Sequence, residues 1–355
     1  MVESGSHPPV RALIVGCGGA AQHWIEIARD AAEIELVGLV DIDRDAACAA
    51  AQRAGLDERL VRDGLPEAIE ATRPEAVFDV TVPAAHHEVT LTALAAGCHV
   101  LGEKPMSDRL EHARQMVEAA RAADRLYAVT QTRRPVPGML AVAGLLGAGG
   151  LGRVEEVHVD FFLGPHFGGF REEMDHPLLA DMAIHTFDNA RQLTGGEPRR
   201  VYCHSFNPER SWYRGDASAV AVFEMTGPRG QEIVFSYRAS WAAEGQPTSW
   251  NGAWRVVGSE GTLRFDGERD IRVERVSEPD SDSAAGAFFR PTRQMPVACE
   301  AMEHEGREYL VREFVRCLRT GERPMCPAED NIKSVAMVSA AIESARMQQM
   351  VEVRW

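Results

Sequence analysis

The sequence has little that would tie it to an oxidising compartment, to nucleic acid or to a membrane. Its seven cysteines (Cys17, Cys48, Cys98, Cys203, Cys299, Cys317 and Cys326) are odd in number and none lies in a C-x-x-C pair. Neither a disulfide frame nor a zinc knuckle is indicated, and the reduced thiols of a cytoplasmic protein fit best. Positive charge is in deficit, with 38 Lys and Arg against 53 Asp and Glu and a formal net charge of -15. A chain of that sign repels a phosphate backbone, which argues against nucleic acid as a main partner. The first ten residues lack the apolar core of a secretory signal. One uncharged stretch, 135–152, has the length of a membrane span, but Pro135, Pro137 and six glycines interrupt it. A short helix over Met139 to Leu146 and a glycine-rich turn are expected there instead, and no membrane association. There is no internal repeat.

What is present is ordinary globular composition, 45% hydrophobic and 26% charged over 355 residues, enough for about two domains. Short apolar runs at Ala12 to Val15, Glu35 to Val40, Ala76 to Val82, His99 to Leu101 and Tyr127 to Thr130 alternate with helical patterns. A run between Arg59 and Arg62 adds a further candidate strand. Such alternation predicts an α/β domain with a doubly wound parallel sheet, because each parallel crossover needs a helix-length connection. Beyond Gly152 the strands follow one another: Val154 to Phe162, Arg200 to Ser205, Ala217 to Met225, Glu232 to Trp241, Ala253 to Val257 and Thr262 to Phe265. That succession predicts a second, α+β domain with a large, mostly antiparallel sheet. One helix, Leu178 to Leu193, interrupts it, Ser277 to Pro296 reads as an exposed loop, and helices over Glu303 to Leu318 and Glu329 to Met347 finish the chain. The expected domain limits are 1–130, 131–330 and a C-terminal helix and tail, 331–355, returning to the first domain.

The first strand runs into Gly16-Cys17-Gly18-Gly19-Ala20-Ala21 and then a helix. Residues without side chains let backbone N–H groups approach a pyrophosphate at the positive end of that helix, and Ala21 satisfies the third position of the G-x-G-x-x-G/A fingerprint. The plain alternative is a tight strand-to-helix turn. Asp41, twenty residues after Ala21 and followed by Ile42, ends the second strand, where an acid accepts from ribose hydroxyls and disfavours a 2'-phosphate. NAD is therefore the expected cofactor, with NADP possible because Arg44 lies close by.

Two further places carry chemistry. Glu103-Lys104-Pro105 follows a buried strand, at the edge where open α/β sheets bind ligands, and Pro105 keeps Lys104 extended. There Lys104 can polarise an oxygen or pass a proton; the alternative is an ordinary surface ion pair. In the inserted helix Asp181, His185 and Asp188 are spaced by four and three, which places them on one face of an α-helix. A carboxylate one turn from an imidazole fixes its tautomer and raises its basicity. The same stripe can be a solvated polar edge, or Asp181 and His185 can be metal ligands with His166 or His176. The loop 164–177 offers His166, Phe167, Arg171 and His176 to a polar ring, or else packs over the sheet.

Gly16 to Ala21, Asp41, Thr81-Val82-Pro83 with His86, and above all Ala95 to Pro105 resemble the glucose-fructose oxidoreductase, inositol dehydrogenase and rhizopine-catabolism (Gfo/Idh/MocA) family. The resemblance implies an N-terminal Rossmann domain binding NAD or NADP and a C-terminal domain whose open sheet lies by the substrate and forms a homodimer or homotetramer contact. It gives Lys104 the place of the family's catalytic lysine and puts Thr81, Pro83, His86 and Glu103 along the cofactor. Asp181 and His185 resemble its acid–base pair, with Ala183 where glycine is usual. Arg133 and Arg134 resemble positions near nicotinamide and substrate, with Thr132 where asparagine is frequent. The expected activity is hydride transfer between nicotinamide and a carbinol or carbonyl of a sugar, polyol or related cyclic compound, with Lys104 or His185 as base. A redox-assisted glycosidase and a non-catalytic regulator are the alternatives.

Overall fold

Ala12-Leu13-Ile14-Val15 and Ala76-Val77-Phe78 are buried on both faces, and runs of that kind find their place inside a sheet covered on both sides. In the computed structural model, which describes residues 8–277 and 288–355, they are neighbouring strands of the first of two units. That unit comprises Met1–Thr132 and His304–Val335; the second comprises Arg133–Glu303 and Ala336–Trp355.

The first unit alternates strand and helix. Its elements are β1 (Val10–Val15), α1 (Ala21–Asp30), β2 (Ile34–Val40), α2 (Arg44–Arg53), β3 (Val61–Arg62) and α3 (Leu65–Thr72). They continue with β4 (Ala76–Asp79), α4 (His86–Ala95), β5 (His99–Gly102), α5 (Leu110–Ala123) and β6 (Tyr127–Val129). The six strands are all parallel, in the order β3-β2-β1-β4-β5-β6. The order reverses between β1 and β4, and a crevice opens at the carboxyl ends of strands at such a point.

The second unit starts with α6 (Pro137–Gly147) and β7 (Val154–Phe162), then α7 (Ile184–Thr194), β8 (Glu197–Phe206), β9 (Ser218–Thr226) and β10 (Glu232–Ser240). β11 (Ala253–Gly258), β12 (Gly261–Phe265), β13 (Ile271–Val276) and β14 (Thr292–Met295) follow. Among the described residues these eight strands, with a ninth from the end of the chain, form one sheet in which only the β7–β10 pair is parallel. Phe187 of α7 packs on one face, its ring 4.8 Å from Phe223, 5.1 Å from Tyr237 and 6.0 Å from Phe235. Tyr202, Phe206, Val220 and Val222 are exposed in the single chain.

The chain ends with α8 (Gly306–Thr320), α9 (Ala328–Met347) and β15 (Val351–Glu352). It is α8 that returns to the first unit. Its stripe of Val311, Phe314 and Val315 enters the core with Trp24 and Phe78, and the Phe78 and Phe314 rings lie 6.2 Å apart. Of the expected segment 331–355, the part up to Val335 belongs to the first unit and Ala336–Trp355 to the second, where β15 runs antiparallel to β8. The expected loop Ser277 to Pro296 is in part β14, which a mostly polar Thr-Arg-Gln-Met run does not advertise; 278–287 lie outside the described residues. No described helix is long and apolar enough to cross a membrane.

Phe314→Ala removes a fully buried ring and is expected to cost about 3–5 kcal/mol. The midpoint of a urea unfolding curve checks it, and a loss below about 1 kcal/mol would mean that α8 is not held by this core.

Candidate active site

β1 stops at Val15 because Gly16 turns to φ +92°, where a Cβ would lie 2.7 Å from the backbone of Val80 and Thr81. No other residue passes the end of β4 so closely. Gly18 and Gly19 border open space that side chains would fill. The helix that follows, α1, has no side-chain cap and no acid in its first turn, which leaves its positive end to an anion. Ala20 is its N-cap, and the Ala21 N–H closes the turn onto the Gly18 carbonyl at 3.0 Å. Asp41 joins the same turn, since its Oδ2 accepts from the Cys17 N–H at 2.6 Å and its Oδ1 from the Asp43 N–H at 2.9 Å. Ile42 beside it is fully exposed. Arg44 pairs with Asp63, while Asp43 caps α2, so the charge nearest the turn is acidic. Glycine space, a free helix end and an acid at the second strand together fit a dinucleotide without a 2'-phosphate. Burial, reinforced by Asp41, pushes the Cys17 thiol up to about 12 and keeps it protonated.

At the ends of β4 and β5 two buried carboxylates organise the backbone. Asp79 accepts from Thr81 Oγ1 at 2.6 Å and lies 3.0 Å from His86 Nδ1. His86 Nε2 is buried without a hydrogen-bond partner among the described residues, an orphaned atom of the kind a ligand satisfies. Pro83 lies in the short link between them, half-buried. Glu103 is 9% exposed, and its Oε1 accepts from Trp24 Nε1 at 2.9 Å and from Arg307 Nη2 at 2.7 Å. Its Oε2 accepts from the Lys104 N–H at 3.1 Å. Burial would raise the Glu103 carboxyl, but Arg307 and the Trp24 N–H outweigh it and hold it below its ordinary value. Lys104, joined to Pro105 by a cis peptide, is half-buried at this edge.

In the second unit α7 begins after a wide π turn, Leu178–Ala183, that contains Asp181. Asp181 Oδ2 accepts from Arg171 Nε at 2.7 Å, and the Arg171 guanidinium lies 4.7 Å and 5.5 Å from the rings of Phe170 and Phe167. His185 and Asp188 are 5% and 1% exposed, which overturns the reading of this stripe as a solvated edge. The π turn breaks the regular 3.6-residue period on which the single face was drawn. Asp188 is taken by Arg134, whose Nε and Nη2 donate at 2.6 Å and 2.8 Å in a buried bidentate pair. Arg134, expected at the substrate, thereby fixes α7 to the segment after β6. Arg133 packs 5.4 Å over the Phe161 ring, and burial lowers its pKa to about 10, so it stays charged. Its Nη1 has no hydrogen-bond partner among the described residues. His166 stacks on Trp212 at 3.7 Å, and His176 Nδ1 lies 3.5 Å from Asp216, with burial lowering the imidazole below its ordinary pKa. No group of three His, Cys, Asp or Glu able to hold a metal occurs among the described residues. Of the tryptophans, Trp241 and Trp254 are core, and Trp250 is exposed beside Phe167.

Residues 10–131 match the model of the oxidoreductase family with an NAD-binding Rossmann fold, and residues 139–264 match the Gfo/Idh/MocA C-terminal domain. The chain belongs to the Gfo/Idh/MocA oxidoreductase family. Protein y4oX of Sinorhizobium fredii is 30% identical over 97% of this chain and 96% of its own. D-apiose dehydrogenase of Paraburkholderia graminis is 29% identical over 97% of this chain and 90% of its own. The WlbA dehydrogenase of Bordetella pertussis, solved with NADH and UDP-GlcNAcA, superposes with a TM-score of 0.78 at 22% identity, covering 98% of this chain and 99% of that one. Like its relatives, this Gfo/Idh/MocA protein is an NAD-binding dehydrogenase or reductase. Asp79, Trp24 and Arg307 escaped the sequence reading. A lone acid in the apolar run Ala76-Val77-Phe78-Asp79 was the one local signal.

Asp41→Ala is expected to narrow the preference for NAD over NADP by about tenfold, some 1.4 kcal/mol, in fluorescence titrations with the reduced cofactors. An unchanged ratio would remove Asp41 from the ribose site. Asp188→Ala takes the bidentate carboxylate from the buried Arg134 guanidinium and should cost about 3–5 kcal/mol of stability in urea unfolding; a neutral effect would show that other groups or water take over its N–H donors.

Proposed function

We propose that this enzyme moves a hydride between NAD and a carbinol or carbonyl of a sugar, polyol or related cyclic compound, with NADP as a possible second cofactor. The observation that carries the reading is Lys104, half-buried at the carboxyl edge of the parallel sheet, on the strand end that follows the buried Glu103. D-apiose dehydrogenase among the relatives and a nucleotide-sugar acid bound to a structural neighbour support a sugar-like substrate.

The cofactor, when bound, supplies the hydride acceptor. Gly16, Gly18, Gly19, Ala20, Ala21 and Asp41 hold its diphosphate and ribose, with Ile42 beside the adenosine. Thr81, Pro83, His86, Glu103 and Arg133 line the rest. Lys104 donates from Nζ to the reacting oxygen and polarises it. As hydride leaves the carbinol carbon, the hydroxyl proton passes to an imidazole nitrogen of His185, oriented by Asp181, while the Lys104 ammonium holds the oxygen; in the other version Lys104 is the neutral amine and takes that proton itself. Arg171, drawn off Asp181 by a substrate oxygen, and Phe167, His166 and His176 face the ring. The exposed Tyr202, Phe206, Val220 and Val222 support a homodimer or homotetramer contact through the second sheet. Seven free thiols suit a reducing, cytoplasmic setting.

Cofactor reduction is to be followed with NAD and NADP across sugars, inositols and sugar acids. Lys104→Met should lower kcat by ~100-fold or more while NADH affinity stays within about threefold. Unchanged turnover would take Lys104 out of the mechanism. Release of sugar from aryl glycosides with no net NADH would replace the dehydrogenase by a redox-assisted glycosidase.

A further inference from the structure

The chain contains two lysines, Lys104 and Lys333, beside 36 arginines. One of the two stands at the sheet edge, and its main chain is braced from the far end of the sequence. Glu103 Oε1 is the meeting point of three N–H donors: Trp24 Nε1, Arg307 Nη2 and Arg307 Nε at 3.0 Å. Arg307 is the second residue of α8, 204 positions from Glu103, and its Nη1 lies 3.0 Å from His23 Nδ1 of α1. Its guanidinium also lies 5.9 Å from the Trp24 ring. The two side chains are 23% and 12% exposed, so the pair is mostly out of water. With Oε1 saturated, the carboxylate plane is set and Oε2 falls on the Lys104 N–H. A fork held at both nitrogens fixes orientation as well as charge.

We propose that Arg307 is a positioning residue for Lys104: it fixes the Glu103 carboxylate, which in turn fixes the peptide from which the Lys104 side chain starts. The inference rests on the reading of Lys104 as the group that meets the reacting oxygen. Arg307 itself touches no reacting atom. Its removal leaves Glu103 free to rotate or to take up a proton, and either change releases the Lys104 N–H.

Two lysines make the position of Lys104 directly observable. Reductive methylation with 13C-formaldehyde gives two lysine side-chain NMR signals, and Lys333→Arg identifies that of Lys104. Arg307→Gln is expected to shift or broaden the Lys104 signal and lower kcat ~30-fold or more, with substrate KM and NADH affinity within about threefold. Arg307→Lys, which keeps the charge and loses the fork, should recover part of both and serves in place of Arg307→Gln if that variant does not fold. The double variant Glu103→Gln with Arg307→Gln removes the stranded charge, so its thermal midpoint should return toward the wild type while the Lys104 signal and kcat do not. An unmoved signal in Arg307→Gln, or a signal and kcat that recover together with stability in the double variant, would overturn the proposal and leave Arg307 a structural brace. Should the wild type turn over nothing in the panel, the dehydrogenase reading falls by itself, and the Lys104 signal still decides the role of Arg307.

Discussion

Taking a carboxylate out of water costs several kcal/mol unless donors replace the lost hydration, and Asp79, Glu103 and Asp188 are 0%, 9% and 1% exposed. Each is satisfied by groups from other elements, and each thereby fixes a neighbour within its own unit. Asp79 takes Thr81 and His86, whose Nε2 has no partner among the described residues. Glu103 ties α1, α8 and the strand end of β5 together around the Lys104 peptide. Asp188 locks Arg134 to α7, the helix that carries His185. Replacing such pairs by apolar groups of the same size is often neutral for stability, so their value here lies in orientation. The charge that fails to find a donor sets the cost of any change.

The same desolvation argument separates Arg133 from Arg134. They are adjacent in sequence and both buried, yet Arg134 spends its fork on Asp188 while Arg133 keeps Nη1 without an acceptor among the described residues. A guanidinium that is buried, charged and incompletely bonded is the costlier of the two to keep, and an acceptor brought by a ligand removes that cost. The difference between these neighbours cannot be read from their residue type; it comes from where α7 places Asp188.

Local patterns explain what was legible beforehand. Gly16 to Ala21 and Asp41 announce themselves because turn geometry and strand ends depend on neighbouring residues, and the unbroken apolar runs of β1, β4 and β5 name a two-sided sheet. The long strands of the second sheet alternate as half-buried strands must. What escaped depends on distant partners. β14 and β15 are polar or two residues long and exist only through pairing with β13 and β8. The π turn at Leu178–Ala183 keeps the residues and changes the period, so a face drawn at 3.6 residues per turn from Asp181 to His185 crosses an irregular turn, while Asp188, farther along the regular helix, is held by a buried arginine that no spacing announces. α8 shows an apolar stripe but not which sheet it covers, and Glu103 and Arg307 lie too far apart for any spacing rule.

The near absence of lysine sharpens the argument for position 104. Among the permanent cations, ion pairs of the described residues are made by arginine almost throughout, including the buried bidentate one to Asp188 and the two-donor one to Glu103 Oε1, where a planar guanidinium places two N–H groups as an ammonium does not. Arginine does not give up its proton in a protein, so it can hold an oxygen but cannot exchange a proton with it. A lysine can do both. Lys333 pairs within one helical turn with Asp330 at 3.7 Å, a place any cation would fill. Lys104 stands instead at the carboxyl edge of the parallel sheet, beside a glutamate already satisfied by Trp24 and Arg307. A composition that uses guanidinium for nearly every structural cation and an ammonium at this edge is what the proton-handling role proposed for Lys104 requires.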